Sequence, residues 1–382
     1  AWGGPVEAGR EHEIGISSGS LYHFYRMRGY FQEGAEMFGR AAEGLTGTPT
    51  TRGDEHDLIV GKVLARQGTF WYHLGRFREA DVRLRQSLTT LRRLDARGEL
   101  AFALKHLGDI ARVLGNYAEA SRFLEEAIEI SAGVGDRPGQ AFALLSLAGV
   151  AAFGQGDYER ARRLCEEGLA ICREAGDRQA VAQFLTALGI VAQTTGDYDA
   201  AASLLRECLA TYQALNEPNG AALTLYNLAL VARALGEHTQ ASQLCQESLT
   251  VYREIGDQSG VAECLMTLGE IACASGRAAY QDSENYFHSA LRVARDTQET
   301  PMMLSALAGL ATLWVKQEKQ EGALELAALV QRHPATSQET RDRAGQLLSE
   351  LETQLPAPIM VAAQERGRAR QLEEVVAEML QT

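Results

Sequence analysis

The chain has 382 residues, of which 46% are hydrophobic and 23% are charged, and these proportions indicate a folded protein rather than a disordered one. Its 37 basic and 50 acidic residues give a formal net charge of −13, which argues against nucleic acid as a partner of this segment. The apolar stretches are too short to cross a membrane and no signal-peptide pattern opens the chain, so we expect a cytoplasmic protein with no membrane partner.

The segment 1–16 precedes any repeat, and we interpret it as an N-terminal remnant or linker. Because the sequence starts at Ala1 rather than at Met, we expect the chain to be a piece of a longer protein. The sequence "GISSG" at 15–19 matches the G-x-S-x-G pattern of hydrolase nucleophiles. A nucleophile elbow requires a preceding strand, and nothing here predicts one, so we interpret the match as chance.

A short motif, Gly-x-aromatic-x-x-small, recurs through residues 17–333. Its glycines are Gly29, Gly75, Gly115, Gly156, Gly196, Gly236 and Gly276, and the sequence intervals between them are 46, 40, 41, 40, 40 and 40. After Gly276 the motif is interrupted by about two inserted residues, and "EKQEGALELAALV" is a degenerate eighth copy. Spacing this regular indicates one structural unit repeated along the chain.

Each repeat is divided midway by a second turn signal, such as "GDRPG" at 135–139 and "GDQSG" at 256–260. Glycine at such a position suits the left-handed end of one helix, and the following Asp suits the N-cap of the next. The segments between turns carry apolar residues at helical spacing. We therefore predict an all-α, right-handed superhelical solenoid of seven to eight antiparallel helix hairpins over 17–333.

Two classes of residue are assigned to packing. Small residues seven positions before a repeat glycine are expected to let the two helices of a hairpin approach closely: Gly108, Gly149, Gly189, Ala229 and Gly269. The six cysteines lie inside predicted helices and form no CxxC pair. We expect them to be small core residues in a reducing compartment.

The C-terminal segment, 334–382, departs from the repeat pattern. Pro356 and Pro358 interrupt its helical spacing. The sequence "RGRARQLEEVVAEML" that follows predicts an amphipathic helix with Leu372, Val375, Val376, Met379 and Leu380 on its apolar side. We expect these C-terminal helices to cap the solenoid, because a repeat array leaves an apolar face exposed at its end. A helix that docks a partner is the alternative.

The repeat pattern resembles a known family, the tetratricopeptide repeat (TPR), in a long form of about 40 residues. The residues that carry the resemblance are Leu188, Gly189, Ala192, Gly196, Tyr198 and Ala201. The hairpin from Leu21 and the segment from Pro334 resemble parts of bacterial STAND-class signalling NTPases and related transcription regulators. This resemblance implies a C-terminal sensor arm, in which an inducer on the concave face relieves autoinhibition of the NTPase module.

The resemblance also implies where the ligand binds. In each first helix, the offsets −13, −10, −6, −3 and −2 from the repeat glycine are expected on the concave face. The candidate binding residues are Lys62, Tyr72, His73, Lys105, Asp109, Arg112, Phe153, Gln183, Ile190, Gln193, Tyr226, Leu230, Arg233, Glu263, Met266 and Glu270. Apolar residues lie in the middle of this set, and its cations suit an anionic group at one side. Alternatively, these side chains pack against one another or against the C-terminal tail.

Catalysis is not expected from this chain. No G-x-x-x-x-G-K-[ST] motif occurs, so the sequence predicts no ATP hydrolysis, no cofactor and no enzyme activity. The eight histidines include no HExxH and no cluster with metal-ligand spacing. Two functions remain. One is a recognition arm that binds a small molecule, a peptide or a protein for a larger signalling NTPase. The other is a free-standing protein–protein interaction scaffold.

Overall fold

The structure, a computed structural model, describes residues 8–47 and 53–381. Every regular element in that part of the chain is helical, which confirms the all-α class. The chain divides into two compact units, 1–191 and 192–382. None of the described helices is long and apolar enough to cross a bilayer.

The first unit consists of consecutive helices joined by short turns. Its α-helices are α1 (Ala8–Met27), α2 (Phe31–Gly47), α3 (Asp54–His73), α4 (Phe77–Arg93), α5 (Arg97–Val113), α6 (Tyr117–Val134), α7 (Arg137–Gly149), α8 (Tyr158–Ala175) and most of α9 (Arg178–Thr194). A π-helical turn, Val150–Gly154, follows α7. The first helix of each hairpin also packs against the first helix of the next, so α1, α3, α5 and α7 form one layer.

The second unit repeats this arrangement and adds C-terminal helices. Its α-helices are α10 (Tyr198–Ala214), α11 (Pro218–Ala234), α12 (His238–Ile255), α13 (Gln258–Ala274), α14 (Tyr280–Asp296), α15 (Thr300–Lys316), α16 (Gln320–Arg332), α17 (Gln338–Glu352), α18 (Ala357–Ala369) and α19 (Leu372–Met379). Seven antiparallel hairpins lie wholly within one unit or the other in the described part of the chain. The predicted fold of repeated helix hairpins is confirmed.

The N-terminal helix is longer than the repeat pattern indicates. Helix α1 begins at Ala8, so it includes nine residues of the segment interpreted as a linker. Residues 1–7 lie outside the described part. The "GISSG" sequence lies inside α1, and no strand precedes it in the described residues.

The turns follow the predicted glycine positions. Gly196, between α9 and α10, has φ +81°, and the Asp197 carboxylate after it accepts a hydrogen bond from the Ala200 amide at 3.2 Å. In the second unit two non-glycine residues, Asn216 and Gln298, take positive φ at mid-repeat turns. The interval from Gly276 to Gln298 is two residues longer than the interval from Gly196 to Asn216, which confirms the two-residue insertion.

Close helix approach occurs at two of the predicted small residues. A Cβ added to Gly108 would lie 2.5 Å from Leu124 Cγ, and one added to Gly269 would lie 2.6 Å from the Phe287 ring. The prediction for Gly149 is wrong, because among the described residues a Cβ there would meet only Arg112 Cδ, at 3.8 Å. All six cysteines are buried, which confirms their assignment to the core.

The C-terminal helices cover apolar surface of the second unit. Helix α18 packs on α16, where Arg366 Nε donates to Glu325 Oε1 at 2.6 Å. Helix α19 packs on α14 and buries Leu372, Val375, Val376 and Met379, the apolar side predicted from sequence. The single helix predicted there is two, because Arg370 and Gln371 are extended. The boundary at 333/334 stays a prediction.

We expect Gly196→Val to lower the free energy of unfolding by about 1–3 kcal/mol, because a β-branched residue is strained at positive φ. Thermal melting followed by circular dichroism measures the change. Gly98→Val is the matched control, since Gly98 is an exposed residue of α5 with no atom within 4 Å of an added Cβ and no positive φ. Equal melting temperatures for the Gly196 variant and wild type would contradict the assigned turn.

Candidate functional site

A cavity of about 730 Å³ lies within the first unit. Its walls come mainly from the first helices of successive hairpins, α1, α3, α5 and α7, together with α9. This volume lies within the range of about 300–1,000 Å³ that small-molecule sites occupy. Seven of the predicted binding residues line it: Tyr72, His73, Lys105, Asp109, Arg112, Phe153 and Ile190.

One side of the cavity carries four cationic side chains. These are Arg26 of α1, Arg66 of α3, and Lys105 and Arg112 of α5. Lys105 Nζ pairs with Asp109 Oδ2 at 2.7 Å. The guanidinium of Arg66 lies 2.8 Å from Glu99 and 3.8 Å above the Phe102 ring.

The other two cations lack acidic partners. Arg26 and Arg112 form no ion pair with any residue in the described ranges. Arg112 contributes a hydrogen bond to Tyr72. Asp136, a second carboxylate on the lining, caps α7 by accepting from the Gly139 amide at 2.9 Å. The cavity of this acidic chain therefore has a local excess of positive charge, and that excess favours a bound anion.

Three histidines accompany the cations. Burial, reinforced by Lys105, lowers the pKa of His73 and holds the pKa of His106 well below its ordinary value. Burial and Arg26 likewise lower the pKa of His23. These imidazoles are neutral at pH 7 and offer polar nitrogen atoms rather than further charge.

His106 is the most buried of the three. The residue is 7% exposed, and its Nδ1 has no hydrogen-bond partner within the described part of the chain. Asp109 Oδ2, the nearest carboxylate oxygen, is 3.8 Å away. Buried polar atoms without a partner are rare in folded proteins, and a ligand hydroxyl or amide would satisfy this one.

Apolar side chains also line the cavity. Phe142 and Leu145 come from α7, Phe153 from the π-helical turn and Ile190 from α9. Phe153 is 66% exposed, so its ring is available to a ligand. The cavity thus combines apolar side chains from α7, the π-helical turn and α9 with cationic side chains from α1, α3 and α5, and this combination suits an amphipathic anion.

Three predicted residues of α3 and α9 do not line the cavity. Lys62 Nζ lies 3.8 Å from Glu99 Oε1, and Glu99 also forms an ion pair with Arg66. Gln183 and Gln193 are half-buried on α9, and Gln193 belongs to the second unit.

The remaining predicted residues lie in the second unit. Thr267 Oγ1 donates to the Tyr226 hydroxyl at 3.2 Å. Glu270 pairs with both Arg233 and Arg343, and the latter comes from α17. The other three are Leu230, which is half-buried, Glu263, which is exposed, and Met266, which is 8% exposed. Within this unit Arg233 and Glu270 pair with each other, whereas the partner of Tyr226 is a residue outside the predicted set.

Several lining residues were missed from sequence, and a signal for some of them was present. His23 and Arg26 stand at offsets −6 and −3 from Gly29, the same offsets that identify Asp109 and Arg112 before Gly115. The prediction did not extend these offsets to the first repeat. Arg66 and His106 share the offset −9 from their repeat glycines, and this offset was not among those expected on the concave face.

We expect His106→Asn to weaken the pH dependence of stability. In the unfolded state this histidine takes up a proton near pH 6.5, whereas the buried imidazole of the folded state stays neutral. Lowering the pH from 7.5 to 5.5 therefore destabilises the wild type, by up to about 1.4 kcal/mol per pH unit for each such histidine. Urea unfolding at several pH values measures the slope, with His12→Asn as a control outside the cavity. Parallel slopes for wild type and His106→Asn would contradict the assignment.

Comparison with known proteins supports the fold. The chain matches sequence profiles of the tetratricopeptide repeat over residues 103–133, 139–214 and 220–279. No curated protein sequence matches it.

Three solved structures illustrate the similarity. A Rap protein complexed with competence and sporulation factor is 12% identical with a TM-score of 0.63, over 97% of this chain and 99% of that one. The apo quorum sensor NprR from B. thuringiensis is 16% identical with a TM-score of 0.63, over 81% and 84%. A STAND protein with a TPR sensor from Pyrococcus horikoshii is 14% identical with a TM-score of 0.56, over 88% of this chain but 55% of that one. The chain therefore contains tetratricopeptide repeats, and its fold is a TPR-like array of helix hairpins.

Proposed function

We propose that the chain is a recognition arm that binds an anionic ligand in the cavity of its first unit and takes part in no catalysis. The observation that carries the proposal is the cationic wall: Arg26 and Arg112 face the cavity without acidic partners in a chain of net charge −13. Like charges gathered around a cavity repel one another, and a bound anion removes that repulsion. A guanidinium is also well suited to carboxylate, sulfonate or phosphate oxygens.

The similar structures support a receptor role. One is a Rap protein bound to competence and sporulation factor, one is a quorum sensor, and one is the sensor-bearing STAND protein. We propose the same class of role here: a sensor arm of a larger cytoplasmic signalling NTPase, in which inducer binding relieves autoinhibition. A ligand that contacts the first helices of five successive hairpins would favour the arrangement of those hairpins that binds it best. Binding would thereby shift the parent protein toward the conformational state that contains this arrangement.

The alternative function is a scaffold for protein partners. It is favoured by the exposed apolar side chains of α1, among them Ile16 at 71% and Met27 at 72% exposure. The reading frame upstream of this segment distinguishes the two roles. A G-x-x-x-x-G-K-[ST] motif in that frame supports the sensor arm, and a start codon directly before Ala1 contradicts it.

Binding of the anionic dye 8-anilinonaphthalene-1-sulfonate (ANS), followed by fluorescence, tests the ligand site. We expect one bound dye per chain, and we expect Arg112→Gln to raise the dissociation constant about fivefold, the equivalent of one modest charge–charge contact of about 1 kcal/mol. The uncharged analogue N-phenyl-1-naphthylamine should bind both proteins equally.

Arg122→Gln provides the matched control for this experiment. Arg122 is an exposed arginine of α6 that does not line the cavity, so its replacement changes the net charge by the same amount. An equal loss of ANS affinity in the two variants would show that only the overall charge matters, and would contradict a site at Arg112.

A further inference from the structure

Helix α7 ends differently from the first helices of the hairpins before and after it in the chain. The amide of Asp157 donates to the Ala151 carbonyl at 2.8 Å, a bond that spans six residues. The corresponding bonds, from Asn116 to Ala111 at 2.8 Å and from Asp197 to Ala192 at 2.9 Å, span five. One additional residue is therefore present after Ala151, inside the π-helical turn Val150–Gly154.

The sequence contains the same insertion. The interval from Gly115 to Gly156 is one residue longer than the interval from Gly156 to Gly196. The mid-repeat glycine Gly135 divides the longer interval unequally, and the extra residue falls in its second half, between Gly135 and Gly156. It thus lies in the segment that forms α7 and its turn. A π-helical turn is the usual way in which an α-helix accommodates one inserted residue, and such turns are frequent at functional sites.

The hydrogen-bond register identifies the residues of this repeat that face the cavity. The carbonyls of Ala111, Ala151 and Ala192 accept equivalent hydrogen bonds and serve as reference points. Gly149 lies two residues before this reference, as Asp109 does in α5 and Ile190 in α9. Ala152 likewise occupies the position of Arg112. Two positions that hold large side chains elsewhere therefore hold a glycine and an alanine in this repeat, and both line the cavity. The space beside Arg112 is open as a result.

The same insertion places an aromatic ring at this opening. Phe153 lines the cavity and is 66% exposed. Without the extra residue, Phe153 would take the position of Val113 and Thr194, and neither of these lines the cavity.

Contacts with α6 and α8 hold the turn in place. Gly154 fits against Tyr117, where an added Cβ would lie 2.4 Å from the ring. Gln155 Nε2 donates to Ser121 Oγ at 3.3 Å, and Arg160 donates to both Gln155, at 3.4 Å, and Glu125, at 2.7 Å. The turn is thus a packed element of the first unit.

We propose that the one-residue insertion makes the cavity specific for an amphipathic anion with a flat apolar body. The body occupies the space above Gly149 and Ala152 against the Phe153 ring, and the anionic group reaches Arg112. This inference rests on the proposed function and assigns its ligand class and the residues that determine specificity. Aromatic rings offer a large rigid contact area to such a ligand.

Two variants test the proposal with ANS as the probe. Gly149→Ile introduces the residue found at the equivalent position of α9, and it should fold, because a Cβ there has only a 3.8 Å neighbour. Deletion of Gly154 restores the regular repeat spacing and the five-residue hydrogen bond. We expect each change to weaken ANS binding about tenfold and binding of the neutral analogue as much, because Gly149→Ile fills the apolar space and the deletion moves the Phe153 ring away from it.

Gly98→Ile is the control for the first variant, since it adds the same side chain to an exposed glycine of α5, and it should bind ANS as wild type does. Wild-type affinity in Gly149→Ile overturns this inference and leaves the proposed function standing. Absence of a stoichiometric ANS site in the wild-type chain overturns both. If the deletion variant fails to fold by circular dichroism, the result for Gly149→Ile decides.

Discussion

The structure depends on the contact between small residues of one helix and large apolar residues of its neighbour. Gly108 against Leu124 and Gly269 against the Phe287 ring show how little space separates the paired helices. A single hairpin leaves apolar surface exposed on both sides, so successive hairpins must stack for a core to form. Stacking in a fixed register also fixes which positions of each first helix face the cavity. The same constraint therefore produces both the fold and the site.

Much of the fold could be predicted because the signals are local. A glycine at positive φ, an Asp that caps the next helix and apolar residues at helical spacing lie within one repeat. The ion pairs between helices of different repeats could not be predicted in this way. Glu270 pairs with Arg233 and with Arg343, which is distant in sequence, and Lys62 approaches Glu99 of the next repeat. Such pairs depend on the angle between hairpins, which no single repeat encodes.

The site was predicted in part for the same reason. Offsets from the repeat glycine correctly identified Asp109, Arg112 and Ile190 as neighbours in space. The offsets fail in α7, where the insertion shifts every residue before the π-helical turn by one position, and Gly149 faces the cavity instead of the paired helix. The longer interval before Gly156 was the visible signal. An irregular spacing in an otherwise regular array therefore marks a place where packing has been altered, and here that place lies in the wall of a cavity.

The charge distribution gives the cavity its chemical character. Burial lowers the pKa of each of the three histidines, so the positive charge of the cavity comes from its lysine and arginine side chains. A crystal structure of the chain with bound ANS tests most directly whether the cavity binds an amphipathic anion. The account predicts the sulfonate about 3 Å from the Arg112 guanidinium and the aromatic rings against Phe153. Dye bound only outside this cavity, with Arg112 and Phe153 uncontacted, would contradict it.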